Sequence, residues 1–169
     1  MFKKFFNEWV VPFIIALMFF LVFNTFIGTS RISGSSMYPT YKDGQITIVN
    51  KYFYNKCETP QVNDIIIFNS ELENNESLFE DTKKLIKRVI ALPGDHVVVS
   101  DGNVYINDVL LKEDYLPDGL TTPGEVDIIL GDNEFFVMGD NRHNSADSRI
   151  LGPVHKNTII GKVIFTLGF

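Results

Sequence analysis

The sequence contains one cysteine, Cys57, and only three histidines among its 169 residues. A single cysteine excludes an intramolecular disulfide. We expect Cys57 to be a small buried or partly buried residue rather than a nucleophile, because its charged neighbours supply no base and no histidine motif accompanies it. The histidines, His96, His143 and His155, do not fall at the spacing of metal ligands. Cysteine catalysis and a histidine-bound metal therefore have little support.

Positive charge is also in short supply. The chain has 15 lysines and arginines against 21 aspartates and glutamates, which gives a formal net charge of -6. A protein that binds duplex nucleic acid normally carries a basic stripe that neutralises phosphates. We therefore exclude nucleic acid as a partner. The length is that of about one domain, with enough chain for a single sizeable core.

One long apolar run lies near the N-terminus. Residues 9–27 are almost wholly apolar, and about 20 such residues suffice for a helix to cross a bilayer core. Lys3 and Lys4 precede the run, and Trp9 is of the type found at the headgroup level. We predict a cytoplasmic N-terminus over residues 1–8, a transmembrane signal-anchor helix over 9–27 and an extracytoplasmic domain over 28–169.

A cleaved secretory signal is the alternative interpretation of the same run. The basic start and the small residues Gly28, Thr29 and Ser30 would suit a cleavage site. However, the run is longer than the 7 to 15 or so apolar residues of a typical signal. Cleavage there would also detach the serine motif described below from the membrane. A retained anchor is therefore preferred.

Beyond the apolar run, short stretches rich in β-branched and aromatic residues predict a mostly β fold. We expect strands at 45–49, 64–68, 135–138 and 159–165. Within a sub-region spanning residues 96–134, turn residues at 100–103 and 107–108 predict β-hairpins. Residues 69–84 are rich in acidic side chains and are expected to form a polar loop.

Two short motifs carry the candidate chemistry: Ser36 within residues 33–40, and Lys87 directly before Arg88. A serine hydroxyl needs a base to become a good nucleophile, and lysine can act as that base only when it is uncharged. Lys87 lies in an apolar, strand-like stretch, where burial would lower its pKa from an ordinary value near 10.4. Alone, each motif fits an exposed strand lysine or a polar turn. Together, they indicate a serine/lysine protease.

A third motif, residues 139–149, is rich in turn formers and in charges of both signs. Asp140 and Asp147, with the nearby Glu134, would supply oxygen ligands for a metal. Their spacing is not that of a calcium-binding EF-hand loop, and the arginines of the segment would repel a cation. We therefore expect no metal and no cofactor.

These motifs, in this order, resemble those of the bacterial type I signal peptidases, which are membrane-bound proteases with a serine/lysine dyad. The matching segments are residues 34–40, 64–68, 87–95 and 139–149. The resemblance implies a catalytic domain with the β-fold shared by signal peptidases and LexA, and one N-terminal transmembrane helix. It also implies that Ser36 is the nucleophile and Lys87 the general base.

The resemblance assigns further roles within the same segments. Ser145 is expected to orient Lys87, Asp147 and Arg149 to form a structural ion pair, and Asp140 to pair with Arg88. The Ser36 backbone N–H is one donor of the oxyanion hole. The second donor is left open, because Gly34 stands where some relatives carry a serine. A further difference is Asn63, where glycine is common, although asparagine tolerates a positive φ.

The implied substrates are exported preproteins with small side chains at the first and third residues before the cleaved bond. Ser36 follows the anchor by few residues, so it lies at most roughly 30 Å from the end of the anchor. The lipid bilayer is therefore an expected partner, with the protein export machinery nearby. Met37 and Tyr38 are expected to line the substrate groove or to enter the membrane interface.

Two kinds of alternative remain. A self-cleaving LexA-type serine/lysine protease shares this chemistry, but it would carry a DNA-binding domain or a soluble arm in place of the apolar run. The eukaryotic style of signal peptidase would carry histidine in place of Lys87. A non-catalytic, membrane-anchored β binding module would have no need for Ser36, Lys87 and Ser145 together. Processing of a preprotein by a Ser36→Ala variant would favour the binding module.

Overall fold

The computed structural model describes residue 4 and residues 6–51, 59–70 and 84–168. The described chain is mostly β, with one long apolar helix at its N-terminal end, so the predicted fold class is confirmed. Cys57 and residues 71–83 of the acidic segment lie outside the described residues. The other three residues of the predicted loop are described. Asn69 is the last residue of one strand, Ser70 follows it, and Lys84 is the first residue of the next strand, so the two strands extend into the predicted loop at both ends.

The N-terminal helix runs from Phe6 to Phe26, has a mean hydropathy of 2.2 and is long and apolar enough to cross a membrane. Its first turn, Phe6–Val10, is π-helical, and the α-helix proper, α1, is Val11–Phe26. Pro12 near the start of α1 lacks an N–H and crowds the preceding turn. The polar side chains of Asn24 and Thr25 donate to backbone carbonyls one turn earlier, so they leave no unpaired donor in an apolar setting.

A seven-stranded antiparallel sheet forms the larger part of the domain, in the order β1-β2-β11-β3-β4-β9-β10. Its strands are β1 Ile27–Arg31, β2 Ile46–Asn50, β3 Ile65–Asn69, β4 Lys84–Ala91, β9 Glu134–Met138, β10 Val154–His155 and β11 Ile159–Leu167. β1 begins directly after α1, because Ile27 is already extended, with φ -118° and ψ 135°. The helix therefore ends one residue before the predicted boundary.

A smaller antiparallel sheet has the order β7-β6-β5-β8. Its strands are β5 His96–Ser100, β6 Asn103–Ile106, β7 Val109–Leu110 and β8 Val126–Ile129. The predicted hairpins are confirmed, since β5 pairs with β6 and β6 with β7. The β6–β7 turn uses Asn107 and Asp108, both with positive φ, at 52° and 66°, as a tight hairpin turn requires.

Two hydrophobic clusters lie on opposite sides of β4 and β9. Val89, Phe135 and Val137 belong to one cluster, whereas Ile90 and Phe136 belong to the other. The second cluster also contains apolar residues of β5 and β6, so it joins the two sheets. Because β4 and β9 are covered on both faces, they are near-continuous buried runs rather than alternating ones. The polar side chains of Lys87 and Arg88 on β4 consequently lie deep within the molecule.

Candidate active site

Ser36 and Lys87, separated by 51 positions in the sequence, are in contact. Lys87 lies on β4 opposite Ile66 of β3, and only 2% of its surface is exposed. Its Nζ is 2.8 Å from Ser36 Oγ and 2.8 Å from the carbonyl oxygen of Ile86. The desolvated setting expected for this lysine is therefore present. A serine hydroxyl and an amine at this distance can exchange a proton.

The segment that carries Ser36 connects β1 to β2 and is held from two sides. Gly34 has a φ of 91°, which favours glycine, and its N–H donates to Asp43 Oδ1 at 2.8 Å. Met37 is only 1% exposed and packs inward. The carbonyl of Ser36 accepts a hydrogen bond from the Asn141 N–H at 3.0 Å. The position of Ser36 therefore depends directly on the 139–149 segment.

The two segments are closely packed at Gly139. A Cβ at this position would be 2.2 Å from Ser145 Oγ and 2.5 Å from the carbonyl oxygen of Ser36. Any larger side chain would displace one of them. Ser145 is thus brought behind Ser36. The Ser145 Oγ is buried and, among the described residues, has no partner within 3.5 Å in hydrogen-bonding geometry, although a weaker hydrogen bond from Ser145 is among the causes that lower the pKa of Asp147.

Two buried ion pairs hold the 139–149 segment, and the first joins Asp140 to Arg88. The guanidinium binds the carboxylate through two contacts, at 2.8 and 2.6 Å. Burial alone would lower the pKa of Arg88, but the hydrogen bond to Asp140 and its charge raise that pKa above its ordinary value. Asp140 also accepts a hydrogen bond from Thr40 Oγ1 at 2.5 Å. This pair therefore links β4 to the segment that carries Ser36.

The second pair joins Asp147 to Arg149, with two contacts at 2.8 Å. Asp147 also accepts a hydrogen bond from the Gly139 N–H at 2.9 Å. Burial would raise the pKa of Asp147, but the hydrogen bonds from Arg149 and Gly139 outweigh this effect and hold the pKa below its ordinary value. Asp147 is therefore ionised and fixes the start of the segment.

Sequence reasoning missed a third group, formed by Glu113, Tyr115 and Arg142. Arg142 Nη1 donates to Glu113 Oε2 at 2.7 Å, and a second contact joins Arg142 Nη2 to Glu113 Oε1. The Tyr115 hydroxyl donates to Glu113 Oε1 at 2.5 Å. Glu113 and Tyr115 follow β7 in a stretch without periodicity, so nothing local marked them. Arg142 belongs to the 139–149 motif, but its pairing with Glu113 joins segments 29 positions apart, which local pattern does not reveal.

The remaining predicted site residues differ in exposure. With 1% of its surface exposed, Met37 offers almost no area to a substrate or a membrane, whereas Tyr38 is 54% exposed. Asn63 has a φ of 73°, so the expected tolerance of positive φ is used. The described residues include no group of three or more histidine, cysteine, aspartate or glutamate side chains arranged to hold a metal ion.

A family model described as "Signal peptidase, peptidase S26" matches residues 6–168. The chain belongs to this family. Among curated relatives, the probable signal peptidase I-1 of Synechocystis sp. is 36% identical over 165 residues, which cover 96% of this chain and 82% of that protein. Signal peptidase IB of Staphylococcus aureus is 30% identical over 181 residues, covering 96% of this chain and 90% of that protein.

The crystal structure of a signal peptidase I from Enterococcus faecalis V583 is similar in fold. It is 29% identical, with a TM-score of 0.51, and the match covers 63% of this chain and 98% of the other. These comparisons confirm the predicted signal-peptidase family and its β-fold, and they identify the chain as a serine peptidase. They give no support to the LexA-type or binding-module alternatives.

Proposed function

We propose that this member of the S26 family removes signal peptides by acyl transfer, with Ser36 as nucleophile and Lys87 as general base. One observation supports the assignment above all others: Lys87 Nζ is 2.8 Å from Ser36 Oγ, and Lys87 is buried. Burial disfavours the ammonium form, and only the neutral amine has a lone pair that can accept the serine proton.

In the first half of the reaction, Ser36 Oγ attacks the carbonyl carbon of the cleaved peptide bond while Lys87 Nζ takes the hydroxyl proton. The tetrahedral intermediate collapses, and the Lys87 ammonium gives that proton to the leaving amine. In the second half, water attacks the acyl ester, Lys87 accepts a proton from the water, and Ser36 regains its hydroxyl hydrogen. The Ser36 N–H is one oxyanion donor, and the second donor must come from a group other than the side chain of residue 34.

Ser145 is proposed to orient the Lys87 amine by hydrogen bonding. Its buried Oγ has at most the weak hydrogen bond to Asp147, and it lies next to Gly139, where an added Cβ would meet both Ser145 Oγ and the Ser36 carbonyl oxygen. A buried hydroxyl with an incompletely used hydrogen-bonding capacity is costly, so a hydrogen bond to Lys87 in the working site would account for its place there. The Arg88–Asp140 and Asp147–Arg149 pairs are proposed to hold the segment that carries Ser145.

The proposed substrates are exported preproteins with small residues before the cleaved bond, reached from the outer face of the membrane. The helix Phe6–Phe26 has the length and composition of a single-pass anchor, and few residues separate its end from Ser36. The lysines before the apolar run favour a cytoplasmic N-terminus. Residues 28–169 would then be extracytoplasmic, close to the export machinery, with Tyr38 available to contact substrate or lipid.

The dyad is tested with full-length, detergent-solubilised protein and a preprotein that carries an Ala-x-Ala site. We expect the wild type to cleave after the second alanine, as identified by mass spectrometry, and Ser36→Ala and Lys87→Ala to be inactive. Ser35→Ala is the matched control, since it removes the neighbouring hydroxyl and should leave cleavage intact. Equal processing by Ser36→Ala and wild type would overturn the assignment.

Topology is tested separately by protease digestion of right-side-out and inverted membrane vesicles. With the proposed orientation, the domain over residues 28–169 is degraded in right-side-out vesicles and protected in inverted ones. The reverse pattern would contradict the cytoplasmic N-terminus without affecting the assignment of the dyad.

A further inference from the structure

The stretch from Glu113 to Tyr115, which follows the small sheet, reaches the back of the candidate active site although it contains no proposed catalytic residue. Its two side chains contact two arginines that flank the site, Arg142 and Arg88. These arginines come from the 139–149 segment and from β4, the two elements that hold Ser145 and Lys87. One short stretch therefore contacts both of the elements that build the site.

The first connection runs from Glu113 through Arg142. The Arg142 side chain is fully buried, and besides Glu113 it donates to Thr122 Oγ1 at 2.6 Å and to the carbonyl of Gly139 at 3.2 Å. Gly139 and its neighbour Asn141 contact the Ser36 carbonyl. A change in the position of Arg142 would therefore be transmitted to the main chain of the nucleophile.

The second connection runs from Tyr115 through Arg88. The Arg88 guanidinium carbon lies 3.9 Å from the centre of the Tyr115 ring, which is a cation–π contact. Arg88 is bound to Asp140, and Asp140 accepts a hydrogen bond from Thr40. Thr40 lies four positions beyond Ser36. The segment that carries the nucleophile is therefore reached at Ser36 by one connection and at Thr40 by the other.

The two connections share the Glu113 carboxylate, because the Tyr115 hydroxyl donates to Glu113 Oε1 at 2.5 Å. Burial, together with this hydrogen bond and the charge of Glu113, raises the pKa of Tyr115, so the hydroxyl remains a donor. Arg142 and Arg88 would each be a costly buried charge without a partner. Glu113 compensates Arg142 as Asp140 compensates Arg88.

We infer that Glu113 and Tyr115 are positioning residues for the dyad: acting through Arg142 and Arg88, they hold the segment that carries Ser36 at hydrogen-bonding distance from Lys87. The stretch that follows the small sheet then contributes to catalysis as well as to the stability of the fold. This inference rests on the Ser36–Lys87 dyad proposed above.

The first test compares Glu113→Gln with Asp114→Asn in the full-length, detergent-solubilised protein. Asp114 is the matched control, because it is the adjacent acidic residue, is exposed and pairs only with the exposed Lys112 in the described chain. For Glu113→Gln, we expect kcat per folded enzyme to fall about ten- to a hundredfold, with KM changed less than about twofold, since misplacing reacting groups by about 1 Å can cost on the order of a hundredfold. Asp114→Asn should match the wild type.

Glu113→Gln leaves Arg142 without its charge partner and can fail to fold, so Tyr115 supplies a second test that changes no charge. Tyr115→Phe keeps the ring beside Arg88, whereas Tyr115→Leu removes it. We expect kcat to decrease in the order wild type, Phe, Leu at constant KM. When kcat is expressed per folded enzyme, a loss of folded protein alone would leave it equal in the wild type and in both variants.

The outcomes separate this inference from the dyad on which it rests. If Ser36→Ala is inactive while Tyr115→Leu keeps wild-type kcat per folded enzyme, the positioning role is wrong and the dyad stands. The same holds if activity falls only in proportion to the folded fraction measured by circular dichroism. If Ser36→Ala is fully active, the dyad fails and the positioning role fails with it.

Discussion

Lys87 combines two properties that ordinarily exclude each other, since it is a lysine and it is buried on a central strand. The sequence predicted this setting, because Lys87 alternates with the apolar residues Ile86, Val89 and Ile90 on β4. The position of its partner was not predictable from local pattern. The position of Ser36 depends on a distant segment, since the Asn141 N–H donates to the Ser36 carbonyl and the absence of a Cβ at Gly139 leaves room for that carbonyl.

Replacing Lys87 by arginine should nearly abolish cleavage, because a guanidinium stays charged at any working pH and cannot act as the base. In the wild type, kcat/KM should rise with pH as the Lys87 ammonium loses its proton. The measurement is the pH profile of kcat/KM. Joint replacement of His96, His143 and His155 by glutamine is the control and should leave most of the activity. A flat profile, or an active arginine variant, would exclude the proposed role.

Asp147→Asn should destabilise the protein in a pH-dependent way. Because the pKa of Asp147 is held below its ordinary value, its contribution is fully present above the unfolded-state pKa, near 4, and is lost as pH falls through the folded-state pKa. Removing one partner of a buried pair costs about 3 kcal/mol. Urea unfolding should show this difference in the free energy of unfolding between the wild type and Asp147→Asn at pH 7. The difference should become smaller as the pH is lowered below the unfolded-state pKa of Asp147.

The exposed Asp132→Asn is the matched control for that measurement, and it should change the free energy of unfolding by less than about 0.5 kcal/mol at either pH. A destabilisation of Asp147→Asn that is equal at both pH values would show that the charge on Asp147 is not its source.

Among the elements, those with strong local signals were predicted and those defined by distant contacts were not. The β-branched and aromatic runs of the sequence correctly located four strands, β2, β3, β9 and β11. The turn residues correctly located the hairpins. The order of the large sheet, in which β11 lies between β2 and β3, depends on pairing between distant segments. β1 has the composition of a polar turn and becomes a strand only by pairing with β2. The Glu113–Arg142 contact is non-local in the same way.

Gly139→Ala should remove most activity, because the new Cβ would lie 2.2 Å from Ser145 Oγ and 2.5 Å from the backbone oxygen of Ser36. Overpacking of this kind costs about 1 to 3 kcal/mol and shifts the neighbouring backbone. The measurement is kcat together with urea unfolding. Gly131→Ala is the matched control, since the three atoms nearest to its Cβ would all belong to the flexible Glu134 side chain, the first of them at 3.2 Å. Full activity of Gly139→Ala would contradict the close packing behind Ser36.

In the whole molecule, none of the N-terminal helix is buried against the domain, and both main hydrophobic clusters lie beyond Ile27. We expect a chain starting at Ile27 to unfold within a few degrees of the full-length protein, as measured by thermal circular dichroism. A chain starting at Ile32 is the control. It should be clearly less stable, because it lacks β1 and leaves β2 as an unprotected edge strand. Equal destabilisation of the two shortened chains would contradict the conclusion that the domain is stable without the N-terminal helix.

The junction at Phe26 and Ile27 has a geometric consequence of its own. The helix is followed directly by β1, without a loop. The Ile27 N–H still donates to the Phe23 carbonyl, and the Lys51 N–H, just after β2, donates to the Phe26 carbonyl. Each residue inserted into the helix would therefore turn the whole domain about 100° around the helix axis and move it about 1.5 Å from the membrane. Cleavage of membrane-bound substrates should vary cyclically with anchor length, recovering about every 3.6 inserted residues. The length of the anchor thus determines the direction that Ser36 faces around the helix axis as well as its distance from the membrane.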